Sequence, residues 1–320
     1  MTHRLNVEEA AGILSRSSSF SLVYHQNPDG DCLCSSLSLY YWLSHQGKYV
    51  EVIDDKCIFP KAFESDMAQV RVYSSNQAKK DSLIILLDCA EGKRTTLLEP
   101  DCFLLHREVL VIDHHQSACH TPFRAWIDRS AAATGEMLAL MMKFIPEYRY
   151  HRSEFYAFVA IVSDTGFFRY ANTTPRTMLL AAELHQDTSK IYEQFFLHAT
   201  LEDTRLLGVI LTRFRFENGV LYTYIDATEL YVLQQHERTN DVLEAMQKIK
   251  EAEVHMLFKE AAPGRWRISL RQGRLNKDLA HFAEAFSGGG HHDAAAFAMP
   301  GDLSDVKHKV FSKWKEFSSI

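Results

Sequence analysis

The chain has 320 residues, 46% of them hydrophobic, and carries 35 Lys and Arg against 41 Asp and Glu, a formal net charge of −6. This length admits two domains or one large one, and the acidic balance argues against a protein that tracks a long nucleic acid by its backbone. No apolar stretch is long enough to span a bilayer, and the residues after Met1 lead into a helical pattern rather than a signal segment, so a cytoplasmic protein is expected. Cys32, Cys34, Cys57, Cys89, Cys102 and Cys119 form no Cys-x-x-Cys pair, which predicts free thiols rather than a disulfide framework or a thiolate zinc cluster.

In chain order, apolar spacing predicts a helix over 7–14 and a strand over 20–24. The turn His25-Gln26-Asn27-Pro28-Asp29-Gly30-Asp31 follows, then a helix over 33–43. Pro and Gly explain a turn; one imidazole and two carboxylates within it are more than a turn requires and have metal-ligand spacing. Alone, the stretch reads equally well as a capped polar loop. Further strands are predicted over 50–53, over 83–87 ending in Asp88, and over 109–112 ending in Asp113-His114-His115. These unbroken apolar runs, separated by helical segments, suit strands buried on both faces of a parallel sheet. Helices are expected over 134–144 and 154–162, the second ending at Ser163-Asp164-Thr165-Gly166. In a parallel sheet the C-terminal strand ends share one edge, where open α/β sheets bind ligands. An Asp after a strand often caps a helix, but His or Asp at four such places points to metal chemistry. Asp164 follows a helix, so its arrival at that edge is a separate expectation.

Beyond a connecting segment over 186–202, whose Ile191, Tyr192, Phe195, Phe196 and Leu197 read as packing, a helix is expected over 201–214. Strands follow at 220–224, 254–258 and 266–271, with helices over 228–250 and a helix over 275–286 running into Gly288-Gly289-Gly290-His291. Arg and Lys are scattered, with a modest concentration at Arg265, Arg267, Arg271 and Arg274.

Together, His25-x-Asn27-Pro28-Asp29-Gly30-Asp31, Leu87-Asp88-Cys89-Ala90, Ile112-Asp113-His114-His115, Ser163-Asp164-Thr165-Gly166 and Gly288-Gly289-Gly290-His291 resemble the DHH phosphoesterase family. Size and the run Phe167 to Pro175 are most similar to its bifunctional oligoribonuclease and phosphoadenosine-phosphate phosphatase branch. The resemblance implies an α/β fold: a parallel-sheet DHH domain with helices on both faces over 1–188, a helical linker over 189–205, and a smaller α/β DHH-associated domain over 206–320 across a cleft. It implies two divalent metal ions held by His25, Asp29, Asp31, Asp88, His114 and Asp164. Asp88 would bridge, with His25 and Asp29 on one ion and Asp31, His114 and Asp164 on the other. Oxygen and nitrogen ligands without thiolate favour Mn²⁺, with Mg²⁺, Co²⁺ or Fe²⁺ as alternatives. Asp113 would orient an imidazole, although on spacing it is equally a cap, and His115 would donate to the substrate. Arg271, Gly288, Gly289, Gly290 and His291 would bind substrate phosphate.

The activity so implied is hydrolysis of short oligoribonucleotides to mononucleotides, with 5'-to-3' polarity borrowed from relatives, and of 3'-phosphoadenosine 5'-phosphate to AMP. The partners are then short RNA or small nucleotides, with no membrane, and relatives of this type often form homodimers. A phosphodiesterase for cyclic or linear di-adenylates is the alternative within the fold; a silent nucleotide-binding regulator is the alternative outside enzymes. The sequence departs from the family at Cys34, before Ser35 and Ser36, and at His292 and Phe297 in the glycine motif, which bears on the shape of the substrate pocket.

Overall fold

The apolar runs become strands of one parallel sheet. The computed structural model describes residues 4–26, 28–57, 59–115, 118, 120–145, 150–184, 186–195, 197, 199–235, 239–290 and 292–318, so His291 and Cys119 lie outside the described residues. The chain divides into two units, residues 1–196 and 197–320.

The first unit runs α1 (Val7–Arg16), β1 (Ser19–Tyr24), α2 (Gly30–His45), β2 (Tyr49–Ile53), α3 (Glu64–Met67), β3 (Val72–Tyr73), β4 (Leu83–Leu87), α4 (Pro100–Leu104), β5 (Val109–Asp113), β6 (Arg124–Ile127), α5 (Thr134–Phe144), α6 (His151–Asp164), α7 (Pro175–Leu184) and α8 (Thr188–Phe195). Its six strands pair in parallel in the order β3-β2-β1-β4-β5-β6. The chain builds outward from β1 on one side, returns to β4, and builds outward on the other. The direction therefore reverses between β1 and β4, and ligands of open α/β sheets collect at such a switch point.

Burial on both faces explains why the strand sequences do not alternate. Phe20, Leu22 and Tyr24 of β1, with Leu83, Ile85 and Leu87 of β4, share a core with buried residues of α1, α2, α5 and α6. Val23, Ile84, Leu86, Val109 and Val111 form a second core on the opposite face, with Leu97 and with Leu104 of α4. The long helices thus lie on one face, and a short helix and loops cover the other. Every residue of α2 from Asp31 to Leu43 is buried, as in a helix surrounded by protein. Gly135 lets α5 approach α6 closely, since a Cβ there would collide with Ala157 and Ala160.

The second unit runs α9 (Leu201–Thr212), β7 (Arg215–Glu217), β8 (Val220–Ile225), α10 (Ala227–Gln235), α11 (Thr239–Gln247), β9 (Val254–Ala262), β10 (Arg265–Gln272), α12 (Leu279–Glu284), β11 (Gly289–Gly290), β12 (Ala294–Pro300) and α13 (Leu303–Ser318). Its sheet order is β11-β12-β10-β9-β8-β7, antiparallel except for the parallel β8–β9 pair. The helix expected over 275–286 contracts to α12, because the Asp278 side chain caps it by accepting from the His281 amide. Phe297 is 4% exposed and stacks on Phe286 in the core beneath α12 and α13.

Among the described residues no helix is long and apolar enough to cross a membrane, and Cys32, Cys34, Cys57, Cys89 and Cys102 are free thiols.

Candidate metal centre

The ends of β1, β4 and β5 bring His25, Asp88 and His114 together, the start of α2 supplies Asp29 and Asp31, and the last residue of α6 is Asp164. Asp88 lies between the two imidazoles. Its Oδ2 is 3.5 Å from His25 Nε2, and its Oδ1 is 3.4 Å from His114 Nε2. Asp88 has φ +56°, a left-handed conformation that Asp tolerates better than most residues. His114 Nε2 also faces Asp31 Oδ2 at 3.7 Å and Asp164 Oδ2 at 3.5 Å. Asp29 is more peripheral: its side chain is 58% exposed, Oδ1 lies 3.8 Å from His25 Nε2, and the same oxygen caps α2 by accepting from the Cys32 amide.

The backbone sets the tautomers. His114 Nδ1 lies 3.2 Å from the Ala131 carbonyl and His25 Nδ1 lies 3.0 Å from the Gln26 carbonyl. A carbonyl only accepts, so Nδ1 carries a proton in each ring and Nε2 is the nitrogen turned toward the cluster. His114 Nε2 is buried with no hydrogen-bond partner, and its neighbours are oxygens of Asp88, Asp31 and Asp164. A buried nitrogen that faces several carboxyl oxygens and is hydrogen-bonded to none of them leaves a place for a cation between them. The residues present therefore fit a divalent cation with oxygen and nitrogen ligands. Asp31, His114 and Asp164 offer ligand atoms within 4.8 Å of one another, as do Asp88, His114 and His115.

The charges agree. Burial pushes the Asp88 carboxyl well above its ordinary range, and Asp31, Asp29, Asp113 and Asp164 push it further. Burial also raises Asp31, against the lowering effect of His114. Burial, then Asp31 and Asp29, push Asp164 up to about 8. Burial lowers the His115 pKa, but the hydrogen bond and charge of Asp113 outweigh it, so the net shift favours the imidazolium. Asp113 Oδ1 accepts from His115 Nδ1 at 2.8 Å and from the His115 amide at 2.9 Å. It thus orients an imidazole and closes a turn at once.

Several residues that support this cluster are not legible as such in the sequence. Asp31 accepts from the Thr134 and Gly135 amides at 2.7 and 3.0 Å and from Ser35 Oγ at 2.9 Å, and Thr134 Oγ1 donates to Asp88 Oδ1 at 2.9 Å. A Thr opening a helix reads only as an ordinary helix start. Cys32 also lies within ligand reach of His25 and Asp88, but burial and the neighbouring carboxylates hold its thiol protonated. Cys34 is fully buried and displaces no ligand.

The profile of the DHH family, N-terminal domain, matches residues 19–162. The chain carries a DHH-family domain. Over 300 residues the chain is 27% identical to the bifunctional oligoribonuclease and PAP phosphatase NrnA of Thermus thermophilus, covering 91% of this chain and 88% of that one. It is 25% identical over 315 residues to a protein of the same name from Mycoplasma genitalium, covering 94% and 95%. The solved structure of an exopolyphosphatase-related protein from Bacteroides fragilis shares the fold, with a TM-score of 0.81 at 21% identity over 96% of this chain and 94% of that one.

Outside the DHH domain, in the second unit, Arg271 sits near the end of β10. Strand register places it opposite His255 and Ala294, and places Arg267 opposite Lys259 and Ala298. Directly opposed residues share a sheet face, so Lys259, Arg267 and Arg271 lie together beside alanines. Nothing in its local sequence marks Lys259 for this group. Burial, then Arg267 and Arg271, lower its pKa to about 8. Gly289 and Gly290 are not a loop but the edge strand β11, paired with Ala296 and Ala295. A Cβ at Gly288 would collide with Ala296 and Phe297, whereas Gly289 faces open space. Close strand packing therefore requires glycine at 288 and at 290, where a Cβ would meet Ala294 and Ala295.

Proposed function

We propose that this chain is a metal-dependent phosphoesterase that hydrolyses short oligoribonucleotides to mononucleotides, with 5'-to-3' polarity, and 3'-phosphoadenosine 5'-phosphate to AMP. The observation that carries the reading is the buried His114 Nε2, which has no hydrogen-bond partner and faces oxygens of Asp88, Asp31 and Asp164. Two cations suit the site, because the two oxygens of Asp88 face different imidazoles. His25 and Asp29 would hold one with Asp88; Asp31, His114 and Asp164 would hold the other. Mn²⁺ matches these ligands, with Mg²⁺, Co²⁺ or Fe²⁺ as alternatives. Such ions supply a nucleophile at neutral pH and neutralise charge on a phosphoryl group. His115, whose imidazolium the hydrogen bond to Asp113 favours, would donate to a phosphoryl or leaving-group oxygen. The names of the two oligoribonuclease relatives support this substrate class. The test is a panel of di- to pentaribonucleotides, 3'-phosphoadenosine 5'-phosphate and di-adenylates with Mn²⁺. Turnover of the first two groups is expected. Preference for di-adenylates would move the assignment, and tight binding without hydrolysis would make the protein a regulator.

Lys259, Arg267 and Arg271, with Gly288, Gly289 and Gly290, would form the phosphate-binding surface. His291 belongs to the same motif, outside the described residues. A Lys with a pKa of about 8 loses its charge as pH rises through 8. AMP, as a competitive inhibitor, is therefore expected to bind more weakly at pH 9 than at pH 7. Lys259→Met should weaken it about tenfold or more at pH 7, as loss of a charged hydrogen bond does, and flatten that pH dependence. An unchanged pH profile in the variant would remove Lys259 from the surface.

A further inference from the structure

The loop between β6 and α5, with the first turn of α5, holds three of the six candidate ligands: Ala131 orients His114, Thr134 and Gly135 bind Asp31, and Thr134 binds Asp88. The loop is itself held from α7. Arg176 Nε donates to Glu136 Oε1 at 2.6 Å, and its Nη1 meets Asp128 Oδ2 at 2.9 Å. Asp128 and Glu136 flank the loop, so one planar guanidinium clamps both of its ends, which a point-charge ammonium does less well. Glu136 is 1% exposed, and its other oxygen accepts from the Ala132 amide at 2.9 Å and from Thr177 Oγ1 at 2.8 Å. A carboxylate buried this deeply requires its cation. Asn172 Nδ2 adds a second tie, donating to the carbonyls of Ala132 at 3.1 Å and Asp164 at 3.0 Å.

We infer that Arg176 is a positioning residue for the metal centre: by clamping Asp128 and Glu136 it fixes the loop that aims His114, Asp31 and Asp88. Arg176 touches none of these ligands, and the inference rests on the phosphoesterase reading above. The amides of Thr134 and Gly135 can hold both Asp31 oxygens only while the start of α5 stays in place, and Glu136 is part of that first turn. Loss of the clamp lets the turn relax and spreads the ligands.

The experiment titrates Mn²⁺ into the purified 320-residue protein by calorimetry and measures kcat and KM separately. Arg176→Met is expected to weaken Mn²⁺ binding about 10- to 100-fold, the range for groups that orient metal ligands, and to lower kcat with KM little changed. Arg176→Lys should recover part of both. Lys143→Met is the control, because it removes another α5–α7 ion pair, Lys143–Glu183, away from the loop; it should leave Mn²⁺ affinity unaltered. If Arg176→Met does not fold, Asp128→Asn, which leaves Glu136 paired, carries the test and should weaken Mn²⁺ binding by a smaller factor. Wild-type Mn²⁺ affinity in the folded Arg176 or Asp128 variant, or an equal loss in Lys143→Met, would overturn the inference. Wild-type protein that binds no Mn²⁺ would instead defeat the phosphoesterase reading itself.

Discussion

Asp88→Asn is expected to lower Mn²⁺-dependent hydrolysis of 3'-phosphoadenosine 5'-phosphate by well over 100-fold, more than the ~10- to 100-fold cost of losing a group that only supports a ligand. Asn is the informative replacement. It has the shape of Asp, can accept from Thr134 Oγ1, and tolerates the φ of +56° at this position. What it lacks is the charge that would be shared between two cations. The same change should stabilise the metal-free protein, with an effect that grows with pH. Burial and neighbouring carboxylates keep the Asp88 carboxyl protonated in the fold well above its ordinary range, while the unfolded chain releases that proton near pH ~4. Asn avoids this penalty, so its advantage in thermal melts with EDTA should be small at pH 5 and larger at pH 8. Retained activity with an unchanged Mn²⁺ requirement would take Asp88 out of the centre.

In EDTA, the wild-type melting temperature is expected to fall as pH rises from 6 to 8. Asp164, with a pKa of about 8, and Asp88, pushed well above the ordinary carboxyl range, hold protons in the fold that the unfolded chain has released. The folded state binds more protons in this window, so raising pH through it removes stability. Mn²⁺ should raise the melting temperature more at pH 8 than at pH 6, since at lower pH it must displace protons to bind. At 100 times its dissociation constant, a ligand specific for the fold adds about 2.7 kcal/mol. Calorimetry at pH 7 in two buffers of different ionisation enthalpy should show release of roughly one or more protons per protein. A melting temperature in EDTA that rises from pH 6 to 8, or Mn²⁺ binding without proton release, would contradict the crowded-carboxylate account.

Much of the first unit is readable from local pattern. The runs over 20–24, 83–87 and 109–112 are strands because burial on both faces writes an unbroken apolar sequence, and the acidic and His residues after them lie at the sheet edge. The helix over 134–144 is α5 without adjustment. The strands β3 and β6 escape a reading by pattern because they are short and only partly buried, and β12 because its alanines have little strand preference. The glycines at 288–290 stand out in the sequence, but their place beside and within an edge strand does not.

By itself the sequence singled out the His and Asp side chains that follow strands and placed them at strand ends, since periodicity and side-chain type are local properties. The tertiary structure decided which of them meet. Strand order placed the reversal between β1 and β4 and so set Asp88 beside His25. Helix packing carried Asp164 to His114, and cross-strand register grouped Lys259 with Arg267. Similar apolar strands can pair in many orders, so the selection among them comes from long-range packing, which no short stretch of residues encodes.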